Sequence, residues 1–483
     1  MLRTPQRTRV IVRGPQAAVV VPALLSVCLS VLTVDRRALW RDEMATWEFS
    51  RLPFADLLHA TRHVDAVLAP YYALMHIWQE AFPSAVALRV PSLLAAAGTV
   101  AVVAATAVRL WNAWAGFVAG CALALNGAFA DTAVSARPYA LAMLCCAVAT
   151  YLLVCARSHP GSRRLWAGYA VACCLAVLLQ VMTVFLLVAH VVPAVVWFRR
   201  ALLRFVLAAG VTCLVTGLLL LAAAEQGNQL LWVQGHPASY ALRGTVSAAG
   251  EAHGWLLLVC AAIGLVLALA HQDSGWLLGP SLLVVPAVGL FVLSGVWHPA
   301  FVPRYLMLAP LGAALVIASA VAFVRPAALA AAAFVVAVAL AGWPALQQHF
   351  SHSSVDDFPA LVRLLDRHVE PDDWVVVSQD YASGGVAAGF AYYSGDAAFR
   401  RNVVAALPSG SPTLYPRHVT AGSPPTSAGV PHGRTWLIGL IRWWQGESDP
   451  YGTAQLEARG CVVDPAQHAI HENGYGLVLM HCP

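Results

Sequence analysis

"AAVVVPALLSVCLSVLTVDRRALWRDEMATWEFS", residues 17–50, places an apolar run directly before two adjacent acids, Asp42 and Glu43. A membrane-spanning helix needs about 20 apolar residues, and 17–34 supplies a stretch of that kind. The carboxylate pair therefore stands beside a bilayer, where a charge is costly and has to have a partner or a use.

The rest of the chain repeats the apolar half of that pattern. Its 483 residues are 59% hydrophobic and 11% charged, with a mean hydropathy of +0.68, whereas a soluble domain carries roughly 25% charged residues. The composition is that of a polytopic α-helical membrane protein. Eleven spans are expected, at 17–34, 89–109, 113–130, 138–156, 165–181, 182–198, 203–223, 254–271, 276–296, 303–323 and 327–345. The net charge of +5 does not indicate a nucleic-acid partner, because the arginines sit in short clusters between apolar runs, as they do in cytoplasmic loops, and not on one basic face. Arg3, Arg7, Arg9 and Arg13 precede the first span without a small-residue cleavage signal. They predict a retained anchor in the plasma membrane, with a cytoplasmic N-terminus.

Arginine placement also settles the ambiguous stretch 69–82, "APYYALMHIWQEAF", which is short and contains His76, Gln79 and Glu80. If Arg109, the Arg157/Arg163/Arg164 group, the Arg199/Arg200/Arg204 group and Arg325 are all cytoplasmic, the span at 89–109 runs from outside to inside. The whole of 35–88 then stays outside, and 69–82 is an interfacial or re-entrant helix. The run 165–198 predicts a tight hairpin turning near Gln180 and Thr183.

Eleven spans that start inside finish outside, so the division is a transmembrane domain over 1–345 and an extracytoplasmic α/β domain over 346–483. In the tail, "DFPALVRLLDRHV" reads as an amphipathic helix, and "DWVVVS", "RTWLIGLI" and "YGLVLMHC" read as strands. Stretch 408–433, with six prolines, reads as loop. Nine of the eleven cysteines fall in apolar runs and serve as small core residues. Cys461 and Cys482 remain in the exported tail and are expected to pair.

With this topology the unusual polar residues gather in outer loops. The first holds Asp42, Glu43, Glu48, His63, Asp65, Tyr71, Tyr72 and His76. The second, "FADTAVSARPYAL", holds Asp131, Arg137 and Tyr139; the third, 225–253, holds Glu225, Gln226, Gln229, Trp232, Gln234 and His236; the fourth, "WHPAFVPRYLML", holds His298, Arg304 and Tyr305. A secondary transporter would instead bury such groups at mid-membrane in broken helices with repeat symmetry. A transporter or flippase of a lipid-linked sugar stays the alternative class.

Several ordered stretches carry a resemblance. Asp42–Glu43 after the first span, "HVDAVLAPYYALMHIW" followed by "LRVPS", then "SARPYAL", "QLLWVQGHP" and "PRYLMLAP" together resemble the GT-C superfamily of integral-membrane glycosyltransferases. The nearest likeness is to bacterial family 39-like, mannosyltransferase-type proteins, over about residues 17–345. No single motif is specific; the ordered set is. The resemblance implies transfer of a sugar, mannose being one candidate, from a polyprenyl-phosphate donor to a glycan, lipid or protein acceptor in the cell envelope, with a first-loop acid essential. A polyprenyl-linked glycan ligase would share this lipid chemistry and outer-face site.

An acceptor hydroxyl is a weak nucleophile, so a carboxylate must take its proton as it attacks the anomeric carbon. Asp42 is the expected general base, with Glu43 as its alternate or as an orienting partner. Arg137 and Arg304 are expected to hold the donor phosphate, since a guanidinium offers a fixed fork of donors. Tyr139 and Tyr305 are candidates to pack on the lipid phosphate or sugar, although aromatic belts put tyrosines at interfaces anyway. His63 and Asp65 are candidates for the acceptor side, a plain loop hydrogen bond being the alternative, and Tyr71 and Tyr72 are further substrate-binding candidates. Family members often carry an acid two residues before the second-loop Arg; that position is Ser135 here, with Asp131 four residues earlier as a substitute. The resemblance allows a divalent metal between first- and second-loop acids, and this departure argues against a required one.

Overall fold

The computed structural model describes residues 14–199, 201–226, 237–250, 254–296, 301–351, 356–370, 372–377, 388–389, 392–394, 403–405, 432–440, 453–465, 470–472 and 475–483. Gln229, Trp232, Gln234, His236, His298 and nearly all of the proline-rich stretch 408–433 lie outside the described residues. In chain order the helices are α1 (Gly14–Val31), α2 (Arg41–Ser50), α3 (Phe54–Thr61), α4 (Ala69–Ala81), α5 (Ala85–Leu110), α6 (Ala113–Ala124), α7 (Gly127–Ala133), α8 (Tyr139–Ser158), α9 (Arg163–Leu179) and α10 (Phe185–Trp197). Then follow α11 (Leu202–Ala222), α12 (Ala238–Ala248), α13 (Trp255–His271), α14 (Leu278–Val296), α15 (Ala309–Val321), α16 (Ala327–Phe350) and α17 (Phe358–His368). The contacts divide the chain into two units: Met1–Thr33, Pro91–Leu221 and Leu230–Phe350 in one, and Val34–Val90, Ala222–Gln229 and Ser351–Pro483 in the other.

The first unit is the membrane body. Helices α1, α5, α8, α11 and α16, and α14 with its preceding turn, are each long and apolar enough to cross a bilayer, and α6 with α7 makes a seventh candidate as a bent pair. Helices α10, α13 and α15 are shorter and apolar, and each of the eleven expected spans falls on one of these helices or on α9. Leu203, Leu207, Leu214, Leu218 and Leu221 of α11 all point outward. In water such a stripe would be an aggregation surface; against lipid tails it costs nothing.

Every residue of α15 is buried, as are nine of the twelve in α6. Small residues allow this. A Cβ added at Gly312 of α15 would sit 2.5 Å from the Leu283 backbone nitrogen and 2.8 Å from the Gly279 carbonyl oxygen of α14, so the two backbones approach as closely as only glycine permits. The expected hairpin at 165–198 is present. The chain breaks at Gln180, and Trp166 meets Phe198 while Tyr169 meets His190 (ring centroids 5.1 and 5.8 Å), which is the order of antiparallel neighbours.

The expected span 113–130 falls on two helices, not on one straight one. It breaks after Leu125, and α6 and α7 are bent by 70°. Asn126 accordingly behaves as a cap: its side chain accepts the Phe129 amide at 2.9 Å and donates to the Ala248 carbonyl at 3.1 Å. Gly127 lies so close to Ala345 that a Cβ there would meet it at 2.6 Å. The bend carries the helix that bears Asp131 away from the axis of α6.

The second unit unites Val34–Val90 with the tail. Helix α4 is thirteen residues long, too short to span. The tail sheet has strands β1 (Trp374–Val377), β2 (Val403–Ala405), β3 (Gly433–Leu440), β4 (Val462–Val463), β5 (Ile470–Glu472) and β6 (Tyr475–Cys482). Their order is β2-β1-β3-β6-β4, with β5 also on β6; β1 runs parallel to β2 and β3, while β6 runs antiparallel to β3, β4 and β5. The three expected strands are β1, β3 and β6. Asp373 fixes the start of β1 by accepting from Arg434 Nε (3.0 Å) and Trp436 Nε1 (2.9 Å). The expected disulfide Cys461–Cys482 is formed, S–S 2.07 Å, tying the approach to β4 to the end of β6.

Candidate functional site

The acids of the opening stretch lie in the first turn of α2, where unpaired backbone amides and the helix dipole favour negative charge. Their surroundings differ. Glu43 is 1% exposed and faces Arg89 of α5, itself 5% exposed. The guanidinium grips the carboxylate with both prongs, Nε to Oε1 at 2.8 Å and Nη2 to Oε2 at 2.6 Å. Its remaining donors reach the carbonyls of Val34 (2.7 Å), Arg37 (2.9 Å) and Ala38 (3.1 Å). A guanidinium has five N–H groups, and these five acceptors engage all of them. Arg89 thus folds residues 34–43 around itself and neutralises a charge that burial would otherwise expel. Asp42, on the neighbouring position, keeps partial exposure.

The tail contributes to the same segment. Asp356, 3% exposed, accepts the Arg41 backbone amide at 3.1 Å and Arg41 Nε at 2.9 Å through Oδ2, so it caps the start of α2. The Leu39 amide donates to the Tyr393 hydroxyl at 2.7 Å. Burial pushes the Tyr393 phenol up from its ordinary value, against the opposite pull of the Leu39 amide, so at neutral pH a neutral hydroxyl receives that hydrogen bond. At the other end of α2, Trp47 lies edge-on to Tyr392 (5.2 Å between centroids) and under the Arg51 guanidinium (4.5 Å).

The remaining first-loop candidates sit on a second knot. Asp65 has a positive φ of 56°, a conformation that Asp tolerates better than most side chains, and its carboxylate accepts the Tyr72 hydroxyl at 2.7 Å. Tyr72 is stacked on Phe49 of α2 with centroids 4.4 Å apart; Tyr71 and Tyr72 are both fully buried. His63 is exposed, its ring edge-on to His59. Gln226, from the segment after α11, closes the turn by donating to the Thr61 carbonyl (3.1 Å) and accepting the Ala66 amide (2.9 Å).

In the membrane unit, Asp131 of α7 receives His349 Nδ1 at 2.7 Å, and His349 Nε2 lies 3.0 Å from the Thr33 hydroxyl. His349 is 1% exposed, so the end of α16 and the residues after α1 meet α7 through one imidazole. Arg137 is nearly buried, and its carbonyl accepts the Ser92 hydroxyl at 3.4 Å. Tyr139 begins α8 at 7% exposure. Arg304 and Tyr305 lie on the short turn before α15, with the guanidinium 5.8 Å from the Tyr305 ring centroid. Among the described residues, no three His, Cys, Asp or Glu side chains gather as a metal-binding group.

The structure therefore places Asp42, Glu43, His63, Asp65, Tyr71 and Tyr72 in the second unit, and Asp131, Arg137, Tyr139, Arg304 and Tyr305 in the first. Arg89, Asp356, Tyr393 and His349 carry the geometry without having been singled out in the sequence. Arg89 gave a signal: it is an arginine inside an otherwise apolar run, and a charge at that depth needs a named partner.

No protein-family model matches the chain, and no curated protein matches it. Eighteen solved chains do. They include ArnT from Cupriavidus metallidurans in the apo state, with a TM-score of 0.56 at 13% identity, covering 96% of this chain and 98% of that one. The same protein bound to undecaprenyl phosphate also scores 0.56 at 13% identity, with 95% and 97% covered. With the likeness running over nearly the whole of both chains, this is a polytopic α-helical membrane protein with a C-terminal α/β domain, and its fold is similar to that of ArnT.

Proposed function

We propose that the protein is a glycosyltransferase that moves a sugar from a polyprenyl-phosphate donor to an acceptor on the outer side of the plasma membrane, with Asp42 as general base. The observation that carries this reading is the unequal treatment of the acid pair. Arg89 engages both oxygens of buried Glu43, while Asp42 keeps partial exposure at the start of the same helix. A base has to reach solvent-borne substrate, and of the two Asp42 meets that condition; Glu43 then holds the helix to α5. ArnT, which shares the fold, was solved with undecaprenyl phosphate bound, and this supports a lipid-phosphate donor here.

In the proposed step the acceptor hydroxyl oxygen bonds to the anomeric carbon, the carbon–oxygen bond to phosphate breaks, polyprenyl phosphate leaves, and the hydroxyl proton passes to Asp42. A single displacement of this kind inverts the anomeric centre. Arg137 and Arg304 serve as the phosphate-binding guanidiniums, and mannose is the first sugar to try. The test is an in-vitro assay of the purified chain with a panel of undecaprenyl-phosphate sugars, mannose among them, following release of undecaprenyl phosphate. Release that requires acceptor and disappears in Asp42→Asn is expected. Movement of intact lipid-linked sugar across a vesicle without release would replace the enzyme by a flippase.

A further inference from the structure

Three residues, Leu39, Trp40 and Arg41, separate the carbonyl of Ala38, which Arg89 holds, from Asp42. Two of these three have their backbone amides bound by the tail: Leu39 by the Tyr393 hydroxyl at 2.7 Å, Arg41 by the Asp356 carboxylate at 3.1 Å. The tail residues are packed against the elements of their own domain. Tyr393 stacks on Phe358, the first residue of α17, with centroids 6.3 Å apart. Phe358 is fully buried and lies 6.5 Å from Tyr475, the first residue of β6. Asp356 stands two positions before Phe358, and the intervening Asp357 caps α17 by accepting the Ala360 amide at 3.0 Å. A continuous packed path therefore runs from the central strand β6 through Phe358 to the two groups that hold the backbone in front of Asp42.

We infer that the tail domain is a brace for the catalytic loop, with Asp356 and Tyr393 acting as positioning residues for Asp42. The inference rests on the reading of Asp42 as general base. Helix termini fray because their first amides lack partners within the helix, and Asp42 is the second residue of α2, inside the turn that would fray. Arg89 holds Glu43 and the carbonyls before Leu39; it does not bind the amides of Leu39 or Arg41. Without the tail contacts the carboxylate of Asp42 would sample positions wider than a proton transfer tolerates. The aspartate and the phenol touch no substrate in this scheme and act only through the backbone.

The test uses the full chain in nanodiscs, with Asp356→Ala, Asp356→Asn, Tyr393→Phe, and Asp464→Asn as a tail control, because Asp464 pairs with His481 on β6 (3.0 Å). The probe is the undecaprenyl-phosphate sugar that the unaltered chain uses. A misplacement of about 1 Å can cost about 10²-fold, so kcat should fall by about that factor in Asp356→Ala with KM for the donor unchanged. Asp356→Asn, which keeps an acceptor oxygen, should recover part of the loss, Tyr393→Phe should lose less than Asp356→Ala, and Asp464→Asn should match the unaltered chain. Amide hydrogen exchange over 37–44 should quicken in Asp356→Ala and Tyr393→Phe. Normal kcat in the folded fraction of both variants, or a fall no greater than in Asp464→Asn, overturns the brace. If the unaltered chain releases no lipid phosphate from any donor, the proposed reaction fails on its own. Exchange over 37–44 then decides the brace alone, and unchanged exchange refutes it.

Discussion

Replacing Arg89 by alanine would leave Glu43, 1% exposed, as an uncompensated buried carboxylate, and the carbonyls of Val34, Arg37 and Ala38 without their donor. Removing one partner of a buried pair costs about 3–5 kcal/mol, and in a unit of about 200 residues each kcal/mol moves the melting temperature by roughly 2–4 °C. A drop of about 10 °C is expected in the melting of the second unit, followed through tryptophan fluorescence from Trp40 and Trp47. Glu43→Gln strands the guanidinium in the same way and should cost a similar amount. The double variant removes both charges at once, so its loss should be close to that of either single variant, which makes the coupling energy about 3–5 kcal/mol in magnitude. Additive losses, with the double variant falling by the sum of the two, would refute the account of Arg89 and Glu43 as mutually dependent buried charges.

Asp42→Asn preserves shape but cannot take a proton, so turnover should fall about 10²- to 10⁴-fold, roughly 3–5 kcal/mol of barrier, with normal melting; a folded Asp42→Asn protein working at the normal rate would dismiss the base. For Arg304, lysine keeps the charge without the bidentate fork, so Arg304→Lys should weaken donor use less than Arg304→Ala in a donor titration, and two variants with unaltered KM would leave Arg304 as an anchor at the membrane edge. Single-cysteine labelling of intact cells should reach positions near 60, 240 and 420 and spare 160, whereas labelling at 420 only after lysis would reverse the proposed orientation. Reduction of Cys461–Cys482 should cost the tail roughly 3 kcal/mol, read as a lower melting temperature with dithiothreitol; an unchanged melt, with free thiols confirmed by mass, would show that the link stabilises nothing.

Most of the helices were legible because a span is a composition signal averaged over some 20 residues. The same averaging hid the break at Asn126–Gly127: one Asn and one Gly hardly dilute an apolar run, yet capping by Asn126 and the closeness of Ala345 turn the chain there. In the tail, β3 and β6 have eight residues each and stood out by their alternation or apolar content, whereas β2 and β4, with three and two, are too short to carry a period. The acid pair stood out in the sequence, but the difference between its members did not. That difference comes from Arg89, 46 positions from Glu43, and from Asp356, 315 positions from Arg41, and nothing local in the sequence announces a pairing over such separations.

The contact between Gly279 and Gly312 has a genetic consequence. The atoms that a side chain at Gly312 would strike are the Leu283 nitrogen, the Gly279 oxygen and the Leu282 carbonyl carbon, all main-chain atoms. No substitution on the facing helix removes such atoms, so a lesion at Gly312 has no local suppressor. A search for second-site revertants of Gly312→Ala should therefore yield changes that shift α14 as a whole, at its ends or on its opposite face, and none at Gly279, Leu282 or Leu283.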